Sequence, residues 1–426
     1  MGIISPSKYH SFYFHVKKLL RWMFFATVPL LLFRFYFYPH PILHSHPVHI
    51  SSSVSPSTIE KEDANEPPCD YTNGRWVHDT NGPLYNGTTC GTIKEGQNCI
   101  RHGRPDLGFL YWRWRPEQCK LPRFEPNTFL QLLRNKHLAF VGDSMARNQL
   151  ESLLCLLATA SVPKLVHRDG ENNKFRRWYF ESYNTSISIY WSPFLVKGVE
   201  KSKSGPDHNE LYLDHLDEKW AADMDGFQVI VLSIGHWFLH PAVYYEDGHV
   251  IGCHYCPGLN HTEIGFYDVL RKAFKTTLNT VIERVKTKRN GIDVILATFS
   301  PSHFEGEWDK FGACPKTEPY GKGEKSLEGM DAEMRQIGIE AMEAAKLNSY
   351  LHELRLEALD ISKLSLMRPD GHPGPYMHPN PFANGITERV QNDCVHWCLP
   401  GPVDTWNQIL LEVMKRWEYE SRQEEN

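Results

Sequence analysis

Two short segments, far apart in the sequence, carry the residue types of a serine nucleophile and its base. Gly142-Asp143-Ser144 follows an apolar run at 138–141 and precedes a helical pattern of leucines. A strand, a tight turn and a helix together expose a serine hydroxyl, and the helix N-terminus directs N–H groups and a positive dipole toward it. Taken alone, the tripeptide is a weak signal, and the alternative interpretation is that Asp143 or Ser144 merely caps the helix.

The second segment, at 393–398, places Asp393 and His396 three residues apart. Such a pair can serve one serine, with the His as base and the Asp fixing its tautomer. The flanking Cys394 and Cys398 would hold the loop rigid, and a rigid base matters because small displacements cost much rate. Alone, a disulfide-stapled loop with an incidental Asp and His is as good an interpretation. With the serine turn in the same chain, the catalytic interpretation is favoured.

Several apolar runs precede polar loops, as the strands of a parallel sheet do. The runs at 227–233, 292–299 and 356–366 each end in a loop that contains Gly, Pro or His, and helical patterns occupy about 262–287 and 328–355. This alternation predicts an α/β fold with a central parallel sheet flanked by helices. In such folds the site lies beyond the carboxyl ends of the strands, where the serine turn also lies.

The N-terminal region has the pattern of a membrane anchor. Basic residues precede an apolar stretch rich in Phe and Leu, and after Arg34 the next Lys or Arg is Lys61. Positive-inside bias predicts a cytosolic tail and a lumenal main chain. A cleaved signal peptide is the alternative, and it would also place the main domain in the secretory pathway. The predicted divisions are a cytosolic tail 1–18, a transmembrane signal anchor 19–38, a flexible stem 39–68 and a lumenal domain 69–426.

The cysteines and sequons fit a lumenal domain. All ten Cys follow the stem, and an even number in that compartment predicts disulfide bonds. Sequons predict glycosylation at Asn86, Asn184 and Asn260. Cys253 and Cys256 have zinc-like spacing, but no second pair follows at finger spacing. A local disulfide or loop staple is therefore favoured over a metal site.

Composition narrows the function classes. With 41% hydrophobic and 23% charged residues in 426, the chain is globular rather than disordered, collagen-like or a multi-span transporter. The net charge of −5 argues against nucleic acid as the main partner. The 12 Trp suggest a sugar-binding or aromatic-lined site. Most buried Trp belong to the core, so we expect only one or two to contact glycan among Trp112, Trp114, Trp237 and Trp397.

Together with further motifs, these segments resemble the plant trichome birefringence-like family of polysaccharide O-acetyltransferases. That family belongs with the esterase-like proteins that carry Gly-Asp-Ser early and Asp-x-x-His late. The resemblance covers residues 69 to about 415. The other motifs that carry it are Cys69-Asp70, Gly74-Arg75-Trp76-Val77, Gln97-Asn98-Cys99, His102-Gly103-Arg104-Pro105-Asp106, Trp112-Arg113-Trp114-Arg115-Pro116, Met145-Ala146-Arg147-Asn148-Gln149, Gly235-His236-Trp237, Arg368-Pro369-Asp370-Gly371-His372-Pro373 and Leu399-Pro400-Gly401.

The resemblance implies an SGNH-hydrolase-like fold with a disulfide-tied N-terminal segment, and a Ser144, His396 and Asp393 triad. It also implies a Golgi type II membrane protein that acetylates a cell-wall polysaccharide, most like the xyloglucan-acetylating branch. Cys253 and Cys256 are similar to a subgroup addition. The disulfide pairs that the resemblance implies are Cys69–Cys119, Cys90–Cys155, Cys99–Cys398 and Cys314–Cys394.

Other residues receive supporting roles in this hypothesis. The oxyanion donors would be the Ser144 backbone N–H and Gly235, with Arg147 and Asn148 as donors or as support around the site. Asp143 would fix the turn rather than take part in the chemistry. The residues expected to line the substrate cleft are His236, Trp237, His372 and Trp397.

The expected reaction is acetyl transfer to a polysaccharide, xyloglucan side-chain galactose being the first candidate, through an acetyl-serine. No bound cofactor or metal is expected. The reaction needs an acetyl donor, acetyl-CoA or another carrier, which a membrane protein could supply. Mannan, xylan or pectin are alternative acceptors. A polysaccharide acetylesterase with the same triad and a non-catalytic polysaccharide-binding protein are the alternative classes.

Overall fold

A computed structural model describes residues 69–169, 174–202, 205–288, 291–349 and 354–424. The predicted tail, anchor and stem lie outside these ranges. Among the described helices, none is both long and apolar enough to cross a membrane. The described residues lie in one compact unit.

The strands form three sheets. The largest has the order β13-β12-β9-β3-β6-β5-β4, a second has the order β11-β10-β8-β7, and β1 pairs with β2. The strands are β1 Gly74–His78, β2 Trp112–Pro116, β3 His137–Gly142, β4 Lys164–Asp169, β5 Phe175–Phe180, β6 Thr185–Trp191, β7 Val196–Val199, β8 Asn209–Leu216, β9 Val229–Ser233, β10 Ala242–Glu246, β11 His249–His254, β12 Asp293–Ala297 and β13 Leu356–Leu359.

The prediction of a parallel central sheet is correct for one side of the large sheet and wrong for the other. Strands β13, β12, β9, β3 and β6 run parallel, whereas β5 and β4 are antiparallel to their neighbours. Only residues 181–184 separate β5 from β6, and Asn184 there is left-handed with φ 51°. A connection that short permits a hairpin but not a parallel crossover. The fold is therefore mixed α/β.

Helices cover both faces of the parallel strands. In β3, Leu138 and Phe140 belong to the core on one side of the sheet, and Ala139 and Val141 belong to the core on the other. Alternate residues of a strand point to opposite faces, so a strand buried on both sides reads as a continuous apolar run. The helices are α1 Pro126–Leu132, α2 Ser144–Ala158, α3 Glu218–Ala221, α4 Tyr267–Lys288, α5 Gly329–Asn348, α6 Ser362–Leu366 and α7 Asp404–Glu424.

Each core has its own set of helices. Apolar side chains of α1, α2 and α7 join the core on the Leu138 side, and those of α4 and α5 join the core on the Ala139 side. The helical leucines noted in the sequence are all in α2 and have no exposed surface. The buried strands β3, β9 and β12 end in the serine turn, the Gly235 turn and the loop at 300–304. This arrangement brings those three loops to one edge of the sheet.

The N-terminal segment is joined to the rest by disulfides. All four pairs implied by the family resemblance are formed, and Cys253 and Cys256 pair with each other. The Cys99–Cys398 bond spans 299 residues and connects the segment to the loop that carries His396. In the same segment, the Trp76 and Trp114 rings of β1 and β2 meet edge to face at 5.6 Å.

Replacing both Cys99 and Cys398 with serine is expected to lower the free energy of unfolding by about 5 kcal/mol. The physical reason is that the bond closes a long loop and so restricts the unfolded chain. Urea unfolding under non-reducing conditions measures the change. The matched control is the Cys253→Ser, Cys256→Ser double variant, whose sequence separation is 3, with an expected loss of about 2 kcal/mol. Equal losses in the two double variants would contradict the prediction.

Candidate active site

Ser144 is the first residue of α2 and directly follows β3, as the sequence predicts. Its side chain is partly exposed. Asp143 caps the helix, since its Oδ1 accepts a hydrogen bond from the Met145 N–H at 2.8 Å. The turn is so tight that a Cβ on Gly142 would lie 1.8 Å from the Ser233 carbonyl oxygen. The serine hydroxyl thus sits at the positive end of a 15-residue helix.

Asp143 connects two strand ends. Its Oδ2 accepts from the Gly235 N–H at 3.1 Å, and its own N–H donates to the Ser233 carbonyl at 3.1 Å. Burial raises the pKa of Asp143 to about 6, although hydrogen bonds from Met145 and Gly235 and the charge of His396 act against the rise. These contacts fit the predicted role of fixing the turn. The Gly235 N–H is engaged by Asp143, and its part as an oxyanion donor stays a prediction.

Asp393 and His396 are hydrogen-bonded to each other. The Asp393 Oδ2 lies 2.7 Å from His396 Nδ1, while Oδ1 accepts from the backbone N–H groups of Val395 at 3.1 Å and His396 at 2.9 Å. Burial acts to raise the pKa of Asp393, but the charge of His396 and these hydrogen bonds hold that pKa well below its usual range. The ionised carboxylate therefore fixes the proton on Nδ1 and leaves Nε2 as the basic nitrogen.

The His396 loop is attached to its neighbours through backbone bonds. The Cys394 carbonyl accepts from the His303 N–H at 3.0 Å, and the Cys398 N–H donates to the Gly371 carbonyl at 2.9 Å. The Asp393 backbone exchanges hydrogen bonds with Gly374 at 2.9 and 3.0 Å. Disulfides to Cys314 and Cys99 hold Cys394 and Cys398. These bonds restrict the movement of the loop, which suits a segment that carries a base.

Asn148 joins the serine helix to this loop. Its Oδ1 accepts from the Trp397 N–H at 2.7 Å, and its Nδ2 donates to the Trp397 carbonyl at 3.2 Å. Asn148 is one turn after Ser144 and is fully buried. Since both polar atoms of the amide bind Trp397, the geometry favours support of the loop over oxyanion binding. The Nε2 of His396 is buried and has no hydrogen-bond partner among the described residues, so its lone pair is free to accept a proton.

Changing Asn148 to aspartate is expected to lower kcat by about 100-fold, because a displacement of roughly 1 Å in a catalytic group costs that much. An aspartate keeps an acceptor for the Trp397 N–H but turns a carboxylate oxygen toward the Trp397 carbonyl, so the two repel. Steady-state acetyl transfer measures the effect. Asn127→Asp, at an exposed position, is the matched control. An unchanged kcat in Asn148→Asp would show that the two hydrogen bonds between Asn148 and Trp397 do not position His396.

Two of the predicted substrate contacts are wrong. His372 is 4% exposed and Trp397 is 0% exposed, so neither ring offers a face to a glycan. Their rings stack on each other at 4.1 Å between centroids, and His372 Nδ1 lies 2.7 Å from the His396 carbonyl. They form the underside of the catalytic loop. The sequence placed them near the site but gave no sign of which way each side chain faces.

His236 and Trp237 remain candidates for the cleft, since both are only partly buried. His236 Nε2 lies 2.9 Å from the Ser300 carbonyl, and burial lowers the pKa of His236 to about 4, so its ring is neutral. Trp237 meets Trp191 edge to face at 5.4 Å. Of the other Trp considered, Trp114 is buried and Trp112 keeps partial exposure.

Arg147 lies between the serine turn and a Trp. Its guanidinium is over the Trp191 ring at 5.1 Å, and its Nε is buried without a hydrogen-bond partner in the part of the chain that the structure describes. Burial lowers the pKa of Arg147, and the negative charges of Glu151 and Asp143 act against that decrease. Its predicted part in binding the oxyanion fits this placement and stays a prediction.

Two residues that support the site were not identified as site residues from the sequence. Arg104, in the N-terminal segment, donates from Nη1 to the His372 carbonyl at 2.8 Å and from Nη2 to the Asp370 carbonyl at 2.6 Å. His303, after β12, contacts His372 at 2.7 Å between ring nitrogens. The position of His303 in a loop at the carboxyl end of a strand was the available signal. For Arg104 the only signal was its family motif.

The remaining sequence features are peripheral. Cys253, Cys256 and Glu263 have donor atoms close enough for a metal, but the two sulfurs form a disulfide and so are not thiolate ligands. That pairing is the local staple favoured from the sequence. The predicted glycosylation sites Asn86, Asn184 and Asn260 are exposed, so each is reachable by modification.

Comparisons with known proteins give consistent matches. Residues 121–413 match the family described as PC-Esterase, the GDSL/SGNH-like acyl-esterase family found in Pmr5 and Cas1p, and residues 67–120 match the PMR5 N-terminal domain. Xyloglucan O-acetyltransferase 1 of Populus trichocarpa is 72% identical over 411 residues, 96% of each chain. Xyloglucan O-acetyltransferase 1 of Arabidopsis thaliana is 56% identical over 94% of this chain and 97% of its own. Protein trichome birefringence-like 25 of Arabidopsis thaliana is 42% identical over 88% of this chain and 82% of its own.

Proposed function

Because the chain belongs to the GDSL/SGNH-like acyl-esterase family found in Pmr5 and Cas1p, we propose that it is a xyloglucan O-acetyltransferase. It transfers acetyl groups to hydroxyls of xyloglucan side-chain galactose through an acetyl-serine at Ser144. The observation that carries this proposal is the 72% identity to a xyloglucan O-acetyltransferase along 96% of both chains. The hydrogen-bonded Asp393 and His396, linked through Asn148 to the helix of Ser144, supply the matching chemistry.

The first step forms the acetyl-enzyme. His396 Nε2 takes the proton of Ser144 Oγ as that oxygen attacks the acetyl carbonyl of the donor. The Ser144 N–H and the Arg147 guanidinium stabilise the negative oxygen that develops. The bond to the donor's leaving group then breaks, and the leaving group departs with the proton that His396 held. Asp393 stabilises the charged imidazole throughout this step.

The second step returns the enzyme to its starting state. A sugar hydroxyl gives its proton to His396 and attacks the acetyl-serine carbonyl, so a new ester forms on the sugar. The bond to Ser144 Oγ breaks, and His396 returns the proton to that oxygen. An acetylesterase would follow the same steps with water as the acceptor, so transfer requires that the sugar hydroxyl displace water from the site.

Placement in the cell is part of the proposal. The chain is a single-pass type II protein of the Golgi membrane, anchored by residues 19–38 with the catalytic domain in the lumen. This rests on the basic residues that precede the apolar stretch and on the exposed sequons of the domain. The acetyl donor is acetyl-CoA or another acetyl carrier, supplied by a membrane protein.

The test incubates the purified full-length chain with acetyl-CoA and deacetylated xyloglucan, mannan, xylan or pectin in parallel. Mass spectrometry of the glycans and an acetate assay provide the readouts. The proposal expects acetylated xyloglucan above the other glycans and little free acetate. Preferential acetylation of another glycan would replace the acceptor, and acetate release without transfer would favour an esterase. Glycan binding with neither activity would favour a binding protein.

A further inference from the structure

Two buried histidines lie in a row between two backbone carbonyls beneath the catalytic loop. His303 is 9% exposed and His372 is 4% exposed. His303 Nε2 lies 2.8 Å from the Leu366 carbonyl oxygen, and His372 Nδ1 lies 2.7 Å from the His396 carbonyl oxygen. Between them, His303 Nδ1 lies 2.7 Å from His372 Nε2. All three distances are those of hydrogen bonds.

The number of protons in this row follows from its two ends. A carbonyl oxygen only accepts, so His303 Nε2 and His372 Nδ1 must each carry a hydrogen. A neutral imidazole has one N–H, and both are then used on the carbonyls. The two nitrogens that face each other would be left with lone pairs at 2.7 Å. We propose that His303 and His372 share a third proton between their rings, so that the pair carries one positive charge and holds the peptide that follows His396.

The surroundings act on this charge in both directions. Burial lowers the pKa of each ring, because an imidazolium loses hydration. Against this, the Trp397 ring is stacked on His372 with an angle of 22° between planes, and an aromatic face attracts a cation. Three carboxylates, Asp370, Asp393 and Glu305, and the hydrogen bond to the His396 carbonyl favour the proton, whereas the charges of Arg104 and Lys325 oppose it. The neutral Tyr320 ring also lies beside His303. The hydrogen-bond requirement prevails because the neutral pair would place two lone pairs against each other at 2.7 Å.

The shared proton matters because of the peptide that it fixes. The His396 carbonyl and the Trp397 N–H belong to one peptide unit. His372 binds the carbonyl at 2.7 Å, and Asn148 Oδ1 binds the N–H at 2.7 Å. The unit is held from both sides, directly after the catalytic imidazole. Loss of the shared proton at alkaline pH would break one contact in the row, release the carbonyl and displace His396. His303 and His372 are thus positioning residues.

NMR of the full-length chain, labelled with ¹⁵N in its histidine side chains, tests the proton directly. At about pH 6, just below the pKa of about 6.5 of an unperturbed histidine, the pair is expected to show three protonated nitrogens and one proton coupled to both rings. That shared signal should be absent from His303→Phe and retained in Ser144→Ala. Only two protonated nitrogens in the wild-type pair would overturn the proposal. This readout does not depend on enzymatic activity, so its failure is distinct from failure of the proposed function.

The effect on His396 rests on the proposed function and is tested by kinetics. Between about pH 5 and about pH 9, the wild-type kcat is expected to rise with pH and then decline as the pair loses its proton. A phenylalanine at 303 lets His372 bind the His396 carbonyl as a neutral ring, so His303→Phe should lose the alkaline decline, whatever its absolute rate. His378→Phe, at an exposed position, should keep it. A wild-type profile without the decline, or the same decline in His303→Phe, would contradict the positioning role.

Discussion

Ser144→Ala is expected to reduce acetyl transfer by about 10⁴-fold or more, because alanine has no oxygen to accept the acetyl group. The rate that remains in Ser144→Ala would come only from substrate binding and the oxyanion contacts. Single-turnover transfer to xyloglucan and mass spectrometry of the intact chain are the measurements. The wild type should gain the mass of one acetyl group when donor is present without acceptor, and Ser144→Ala should not.

The fold of Ser144→Ala should be unchanged, which makes the loss interpretable. The helix cap is supplied by Asp143 rather than by Ser144, and the Asp143 contacts to Met145 and Gly235 do not involve the serine side chain. Ser182→Ala, an exposed serine in a short turn, serves as the matched control and should retain full activity. Transfer at the wild-type rate in Ser144→Ala would exclude the acetyl-serine mechanism.

The part of the site that local sequence encodes was predictable. The strand, tight turn and helix around Ser144 follow from an apolar run, a glycine and a leucine pattern within about twenty residues, which local periodicity captures. The hydrogen bond between Asp393 and His396 follows from their spacing of three. The disulfide pairs, in contrast, came only from the family resemblance, since many pairings of ten cysteines are compatible with one sequence.

What the sequence did not reveal depends on long-range contacts. Asn148 and Trp397 are 249 residues apart, and His303 and His372 are 69 apart, so no periodic pattern relates them. The burial of His372 and Trp397 depends on neighbours that pack from other segments. Both residues were assigned to the substrate for this reason, although each supports the loop from below. The antiparallel β5 was missed because a hairpin and a crossover can begin from equally apolar strands.

In the catalytic loop, one set of contacts fixes the backbone and another orients the side chain of the base. Disulfides at Cys394 and Cys398 fix the ends of the segment, while Asn148 and His372 fix the peptide after His396. The side chain of His396 is oriented separately, by Asp393. A change in the backbone contacts should therefore act through position, and a change at Asp393 should act through the tautomer of the base.

Asp393→Asn is expected to lower kcat by about 10⁴-fold, the scale on which a catalytic histidine in the wrong tautomer loses rate. The backbone N–H groups of Val395 and His396 both donate to Oδ1, so an asparagine would place its amide oxygen there. Its NH₂ group would then face His396 Nδ1 and donate to it. The ring proton would move to Nε2, and the base would have no lone pair for Ser144.

The same substitution has a second readout, in stability against pH. The pKa of Asp393 is depressed in the folded protein, so its contribution to stability is present above the unfolded pKa of about 3.9 and is lost as pH decreases toward the folded value. The wild type should thus gain stability over Asp393→Asn as pH rises through that range, which urea unfolding measures at each pH. Asp207→Asn, at an exposed carboxylate, should show neither effect.

Combining Asp393→Asn with Ser144→Ala should cost no more rate than Ser144→Ala alone, since the two residues act as one unit. A further loss in the double variant would mean that Asp393 has a role apart from its service to the His396 base.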